Sequence, residues 1–284
     1  MRRILPLPLL LLLATLFPAP AQSLLARSEL GPTVGGMNYL GDLNNQSMFG
    51  QVNPAAGLTA RINLDPRWAI SMGATYGHIS GGNPDVIAHR NLSFRSPIYE
   101  AWVRAEFNFF PYGLRPGTQR RYTPFIFCGF AVFRFNPMAE YQGVWYDLQP
   151  LATEGQGTLA YPERQRYKLI ETAMPFGLGL RYRINAGMHL ALEYGWRLTR
   201  TDYLDDISTT YAGAAVLGGE DGGGEMAVIL ADRTGEVDEG FVNAVGIKRG
   251  DDSLDDWYAY FNLSLTISTE ILFGWMRGKT CEIK

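Results

Sequence analysis

The chain has 284 residues, with 25 Lys+Arg against 28 Asp+Glu for a formal charge of −3, and 46% of its residues are apolar. That balance offers no basic face for neutralising phosphates, so no nucleic-acid partner is expected, and the apolar content is too high for a disordered chain. Two cysteines exclude a disulfide scaffold and a four-cysteine zinc site, while 32 glycines, 13% aromatic and only 19% charged residues favour an all-β protein.

Residues 1–21 read as a signal peptide. Arg2 and Arg3 precede the apolar run 4–17, and Ala19-Pro20-Ala21 supplies a small-x-small cleavage pattern. The run is shorter than the ~20 residues a spanning helix needs, and no later stretch is long enough either. No cysteine follows it to carry a lipid. The exported product is therefore expected to be free in solution or to span a membrane as a barrel.

Strict alternation then recurs along the chain, the mark of β-strands whose side chains point to opposite faces. Strands are predicted over 31–40 (Gly-rich and weakly patterned), 58–64, 68–76, 99–109, 122–135, 176–184, 188–200 and 257–267. Over 188–199, Leu190, Leu192, Tyr194, Trp196 and Leu198 share one face, with His189, Glu193, Arg197 and Thr199 on the other. In 122–135 both faces are apolar; Arg134 suggests that Ile126, Cys128, Phe130 and Val132 point inward with it. Short connections (65–67, 111–121, 185–187) alternate with long ones (41–54, 79–96, 136–173, 201–256). Together these features predict an eight-stranded antiparallel up-and-down transmembrane β-barrel with long extracellular loops, short periplasmic turns and both termini periplasmic. The domain reading is signal peptide 1–21, outer-membrane barrel 22–268 and periplasmic tail 269–284.

On this register Arg61, Glu100, Arg104, Glu106, Arg181, Arg183, Glu193 and Arg197 face inward. An eight-stranded interior is filled by side chains, and charges there are expected to pair, because lone buried charges are costly. A lipocalin-like barrel in water would reverse the assignment, with apolar residues inside and charge outside.

Chemical motifs are scarce. No metalloprotease, nucleophile-elbow or phosphate-loop pattern occurs, and no catalytic residue, cofactor or resident metal is expected. His78 with Ser80 is the one pair that imitates a base and a nucleophile, as in lipid-modifying barrels. The loop 201–256 is strongly acidic. Asp202, Asp205 and Asp206 are oxygen ligands of the kind Ca²⁺ takes, although the spacing is not that of an EF-hand and a solvated loop, with Asp205 and Asp206 paired to nearby arginines, is the expected reading. Arg67, Arg115, Arg120 and Arg121 crowd the short turns, where they can meet lipid headgroups or a periplasmic partner. Cys281, in the tail, is a thiol that can bond to another chain.

Several phrases recur together in order: GMNYLGDLN at 36–44, PAAGLTARINLDPRW at 54–68, LSFR at 92–95, YTPFIF at 122–127, TEGQG at 153–157, DYLDD at 202–206 and DDWY at 255–258. Spread from Glu29 to Ser268, this set resembles the PorG-like outer-membrane β-barrel of the Bacteroidetes type IX secretion system. The resemblance implies a non-enzymatic subunit that anchors a periplasmic ring of PorK-like and PorN-like proteins at the outer membrane, with the lipid bilayer as its other partner. It implies no cofactor. Arg67, Arg115, Arg120, Arg121 and Cys281 are the expected partner-facing positions. The alternatives are a small barrel for envelope integrity or adhesion, and a lipid-modifying enzyme.

Overall fold

The structure, a computed structural model, describes residues 27–44, 51–82, 90–112 and 120–274. The predicted signal peptide, Arg115 and Cys281 lie outside them. Ten strands follow in chain order: β1 Ser28–Leu40, β2 Asn53–Asn63, β3 Trp68–Gly81, β4 Phe94–Asn108, β5 Tyr122–Arg134, β6 Met138–Tyr141, β7 Val144–Asp147, β8 Ile170–Asn185, β9 Met188–Thr199 and β10 Trp257–Ser268. Eight of them close into an antiparallel ring in the order β1-β2-β3-β4-β5-β8-β9-β10, with β10 returning to β1. Each wall strand has 11 to 16 residues, long enough to cross a bilayer at a tilt.

The alternation read in the sequence sets the two faces. Leu58, Ile70, Met72, Val103, Leu178, Leu192, Phe261 and Leu263 are exposed on the outside. Arg61, Glu100, Arg104, Glu106, Arg181, Glu193 and Arg197 are buried inside. Such an exterior is stable in hydrocarbon and would be a large apolar patch in water. The lipocalin-like arrangement is therefore excluded. No helix among the described residues is long and apolar enough to cross a membrane.

β5 has the opposite phase to the one expected. Phe125, Phe127, Ala131 and Phe133 are buried inside, while Ile126, Cys128, Phe130, Val132 and Arg134 face out. The register decides this, since Glu106 of β4 pairs with Phe127, and Ala105 with Cys128. The opposing strands explain why phenylalanine fits within. A Cβ on Gly177 or Gly195 would lie 2.7 or 2.6 Å from the Phe127 ring, so glycine is required for the ring to lie against β8 and β9.

The two ends of the barrel differ. Residues 64–67, 109–121 and 186–187 connect strands at the turn end, where both described chain ends also lie. There the short helix α4 (Thr269–Gly274) follows β10, and Ile271 covers Gly187. At the other end the long connections fold over the mouth. β6 and β7 form a hairpin joined to β4 through Arg95 and Met138. The short helices α1 (Leu148–Leu151), α2 (Ala214–Leu217) and α3 (Glu225–Ala231) complete a cap. Leu148, Tyr167, Leu204, Ile207 and Leu230 of the cap share one apolar cluster with Met37, Ile98, Phe133 and Tyr258 of the inner wall.

Candidate functional site

The interior is built around carboxylate–guanidinium pairs. Glu106 accepts bonds from Arg61 Nε (2.7 Å), Arg181 Nη2 (3.0 Å), Arg104 Nη2 (3.2 Å) and Ser71 Oγ (2.6 Å). Glu29 accepts from Arg61 Nη1 (3.1 Å), Asn63 Nδ2 (2.9 Å) and Thr266 Oγ1 (2.8 Å), with Arg181 Nη1 at 3.6 Å. Arg104 Nη2 also donates to Glu193 Oε1 (2.8 Å). Nearer the cap, Arg197 donates twice to Glu100 (3.1 Å each), and Tyr258 donates its hydroxyl to the same carboxylate (2.6 Å). The guanidiniums also stack on rings: Arg104 lies 4.1 Å from the Phe127 centroid and Arg181 4.9 Å from Phe125. Four buried arginines (61, 104, 181, 197) thus face four buried glutamates (29, 100, 106, 193). Arg183 shares the inner face but sits half-buried at the turn-end rim.

The cap holds a second set of buried charges. Expected in a solvated loop and paired to nearby arginines, Asp205 and Asp206 are instead fully enclosed, and only Asp206 has an arginine within 4 Å among the described residues. Asp206 accepts from Thr153 Oγ1 and Tyr167 OH (2.6 Å), with Arg249 Nη2 at 3.9 Å. Arg249 Nη1 donates to Glu154 (3.0 Å), which also takes the backbone N–H groups of Ser208 and Thr209 (3.0 Å each). Asp205 turns the other way. The Tyr39 hydroxyl lies 2.7 Å from Asp205 Oδ2 and 2.7 Å from Asp256 Oδ1. A phenol has one hydrogen, so it donates to one carboxyl and accepts from the other, which must itself be protonated. Burial accordingly pushes both Asp205 and Asp256 well above the usual carboxylate range, with the Asp205 carboxylate a further cause at Asp256 and Asp42 at Asp205. Burial also lifts Asp202 to about 8 and Asp206 to about 6. The three aspartates considered for Ca²⁺ do not converge. Among the described residues no group of three or more carboxylate, imidazole or thiol side chains is placed to hold a metal ion.

At the turn end, Arg67 donates to Phe109 O (2.7 Å), and the Arg120 guanidinium lies 4.2 Å from the Phe110 ring. These two arginines therefore both contact the Phe109–Phe110 segment, and Arg121, next in sequence to Arg120, is exposed. His78 and Ser80 are bonded elsewhere. His78 Nε2 meets Tyr76 OH (3.2 Å), while Ser80 Oγ donates to Gln51 Oε1 (3.0 Å) and accepts from Asn53 Nδ2 (2.9 Å). Sequence reasoning missed Glu29, Glu154, Tyr39 and Arg249 as members of the buried networks. Glu29 lies ahead of the predicted start of its strand, and Glu154 meets Arg249 only across 95 positions of chain.

A family profile described as "Domain of unknown function (DUF6089)" matches residues 4–213. No curated protein matches the chain. Among solved structures the chain is similar to Neisserial surface protein A, at 8% identity and TM-score 0.38, covering 85% of this chain and 96% of that one. It is similar to OprG from Pseudomonas aeruginosa at 11% identity and TM-score 0.39, covering 84% and 95%. It is also similar to Ail of Yersinia pestis, solved with the heparin analogue sucrose octasulfate, at 7% identity and TM-score 0.37, covering 85% and 98%. These likenesses are faint in sequence and partial in superposition, and the barrel assignment rests on the strand pairing itself.

Proposed function

This chain belongs to the DUF6089 family, and from that premise we propose that it is a non-enzymatic barrel of the outer membrane that anchors an envelope assembly rather than passing solute. The observation that carries the reading is the interior, where four arginines and four glutamates neutralise one another across the bore. A conducting barrel keeps a polar, water-filled lumen; this one is occupied by paired side chains and rings. Function then belongs to the two ends. In the proposed orientation the short turns and both termini lie in the periplasm and the cap lies outside the cell.

The assembly proposed is the periplasmic ring of a type IX secretion machine, formed of PorK-like and PorN-like proteins, on the strength of the ordered sequence resemblance. Arg67, Arg120 and Arg121 give the turn end an exposed cationic surface for it. A second reading, adhesion or ligand capture outside the cell, is favoured by one observation. The cap carries a polar pocket of about 690 Å³ with Arg164, Tyr203, Thr209, Lys248 and Asp252 in its walls. Photo-crosslinkers at Arg120 and Arg121 in whole cells should capture ring subunits. Adducts formed only by a probe at Leu159 on the cap, with none from the turn end, would overturn the anchor reading in favour of the second.

A further inference from the structure

The outer wall is not uniformly greasy. Of all the outward positions on the eight wall strands, only two carry a full charge, Arg95 on β4 and Arg134 on β5, and no outward position carries a carboxylate. Both lie toward the cap end of adjacent strands, Arg95 about 13 Å further along than Tyr99 at four residues of strand rise. Neither makes an ion pair among the described residues; Arg95 stands 5.8 Å from the Trp145 ring.

Beside Arg134 the wall is hollowed. The register sets Leu58, Ala74, Ala101 and Val132 in one row across β2 to β5. Two methyl side chains between two larger ones leave a groove of about 520 Å³. The next row toward the cap holds Tyr76, Tyr99 and Arg134 at paired positions, with the two tyrosine rings 4.8 Å apart. The groove is therefore apolar below and bounded above by phenols and a guanidinium, at the level where aromatic side chains mark a membrane interface.

We propose that this groove is a binding site for an anionic, phosphate-bearing lipid of the outer leaflet, one acyl chain lying over Ala74 and Ala101 and the phosphate bonded to Arg134. Charge complementarity selects the occupant. A zwitterionic lipid would fill the apolar floor equally well, but its phosphate is already neutralised by its own ammonium and compensates Arg134 less fully at the edge of hydrocarbon, where an uncompensated guanidinium is costly. A phosphate accepts its hydrogen bonds in a bidentate fashion, and Arg95 adds positive potential from above. This inference rests on the membrane placement proposed above and adds a specific lipid partner to it.

The test is native mass spectrometry of the full-length barrel released from micelles containing equal phosphatidylglycerol and phosphatidylcholine. One retained phosphatidylglycerol is expected, with its retention falling roughly fivefold in Arg134→Gln. Ala101→Leu, which fills the groove and leaves the charge, should lower retention too. Equal retention of both lipids, or phosphatidylglycerol held by both variants at the wild-type level, would overturn the site. Carbonate-resistant membrane association of all three proteins is measured in parallel; its loss in the wild type counts against the membrane placement instead.

Discussion

Glu106 is the residue on which most of the interior turns. It compensates Arg61, Arg104 and Arg181 at once, none of which reaches water. Glu106→Gln preserves the volume but removes the charge, leaving the three guanidiniums with only Glu29 and Glu193 between them. A loss of about 3–5 kcal/mol is expected, because removing one partner strands the others; urea unfolding in micelles followed by tryptophan fluorescence measures it. At the cap, Asp202 and Asp206 titrate at about 8 and about 6 because they are buried, whereas an unfolded aspartate titrates near ~3.9. The folded cap therefore binds more protons than the unfolded chain between those values. Its stability is full at acid pH and declines as pH rises from about 4 to about 8. Hydrogen exchange of amides 203–211, corrected for intrinsic rate, should reveal a cap that opens more readily at the upper end of that window, and Asp202→Asn should flatten the dependence.

At the scale of elements, the wall strands other than β1 and β5 could be read because their faces differ in chemistry. In β9, Leu, Tyr and Trp alternate with His, Glu, Arg and Thr, and hydrocarbon and the ion-paired interior sort them without ambiguity. β5 resisted because the interior accepts phenylalanine wherever β8 and β9 supply glycine, a relation between strands that periodicity within one strand does not carry. Its single arginine then pointed the wrong way, being a rim residue rather than a lumen one. The cap was hidden for a related reason. Asp205, Asp206, Glu154 and Arg249 have the composition of a solvated loop, and only the fold shows that each has a buried partner. The hairpin β6–β7 and the three short cap helices lack the length over which a period can be recognised. The two-sided wall itself has a simple consequence: Leu192→Arg, near the middle of β9, should cost about 2–4 kcal/mol by placing a cation in hydrocarbon. Reduced heat-modifiable mobility of the variant on gels would report the loss.

For the whole molecule, the wall is completed by hydrogen bonds between its first strand and its last, from Leu40 opposite Trp257 to Glu29 opposite Ser268. A chain delivered amino end first has seven strands in hand while residues 257–268 are still to come. Two rows of backbone donors and acceptors then stay unmet, and in a lipid interior such margins are expensive. Ring closure is therefore a late, single step spanning nearly the full contour of the polypeptide, the kind of contact that slows folding most. The Tyr39–Asp205–Asp256 junction joins residues from both sides of that seam, so the mouth can lock only after the circle is complete. A truncated translation product ending before Trp257 would have no route to a membrane-stable state, whatever the quality of its other strands.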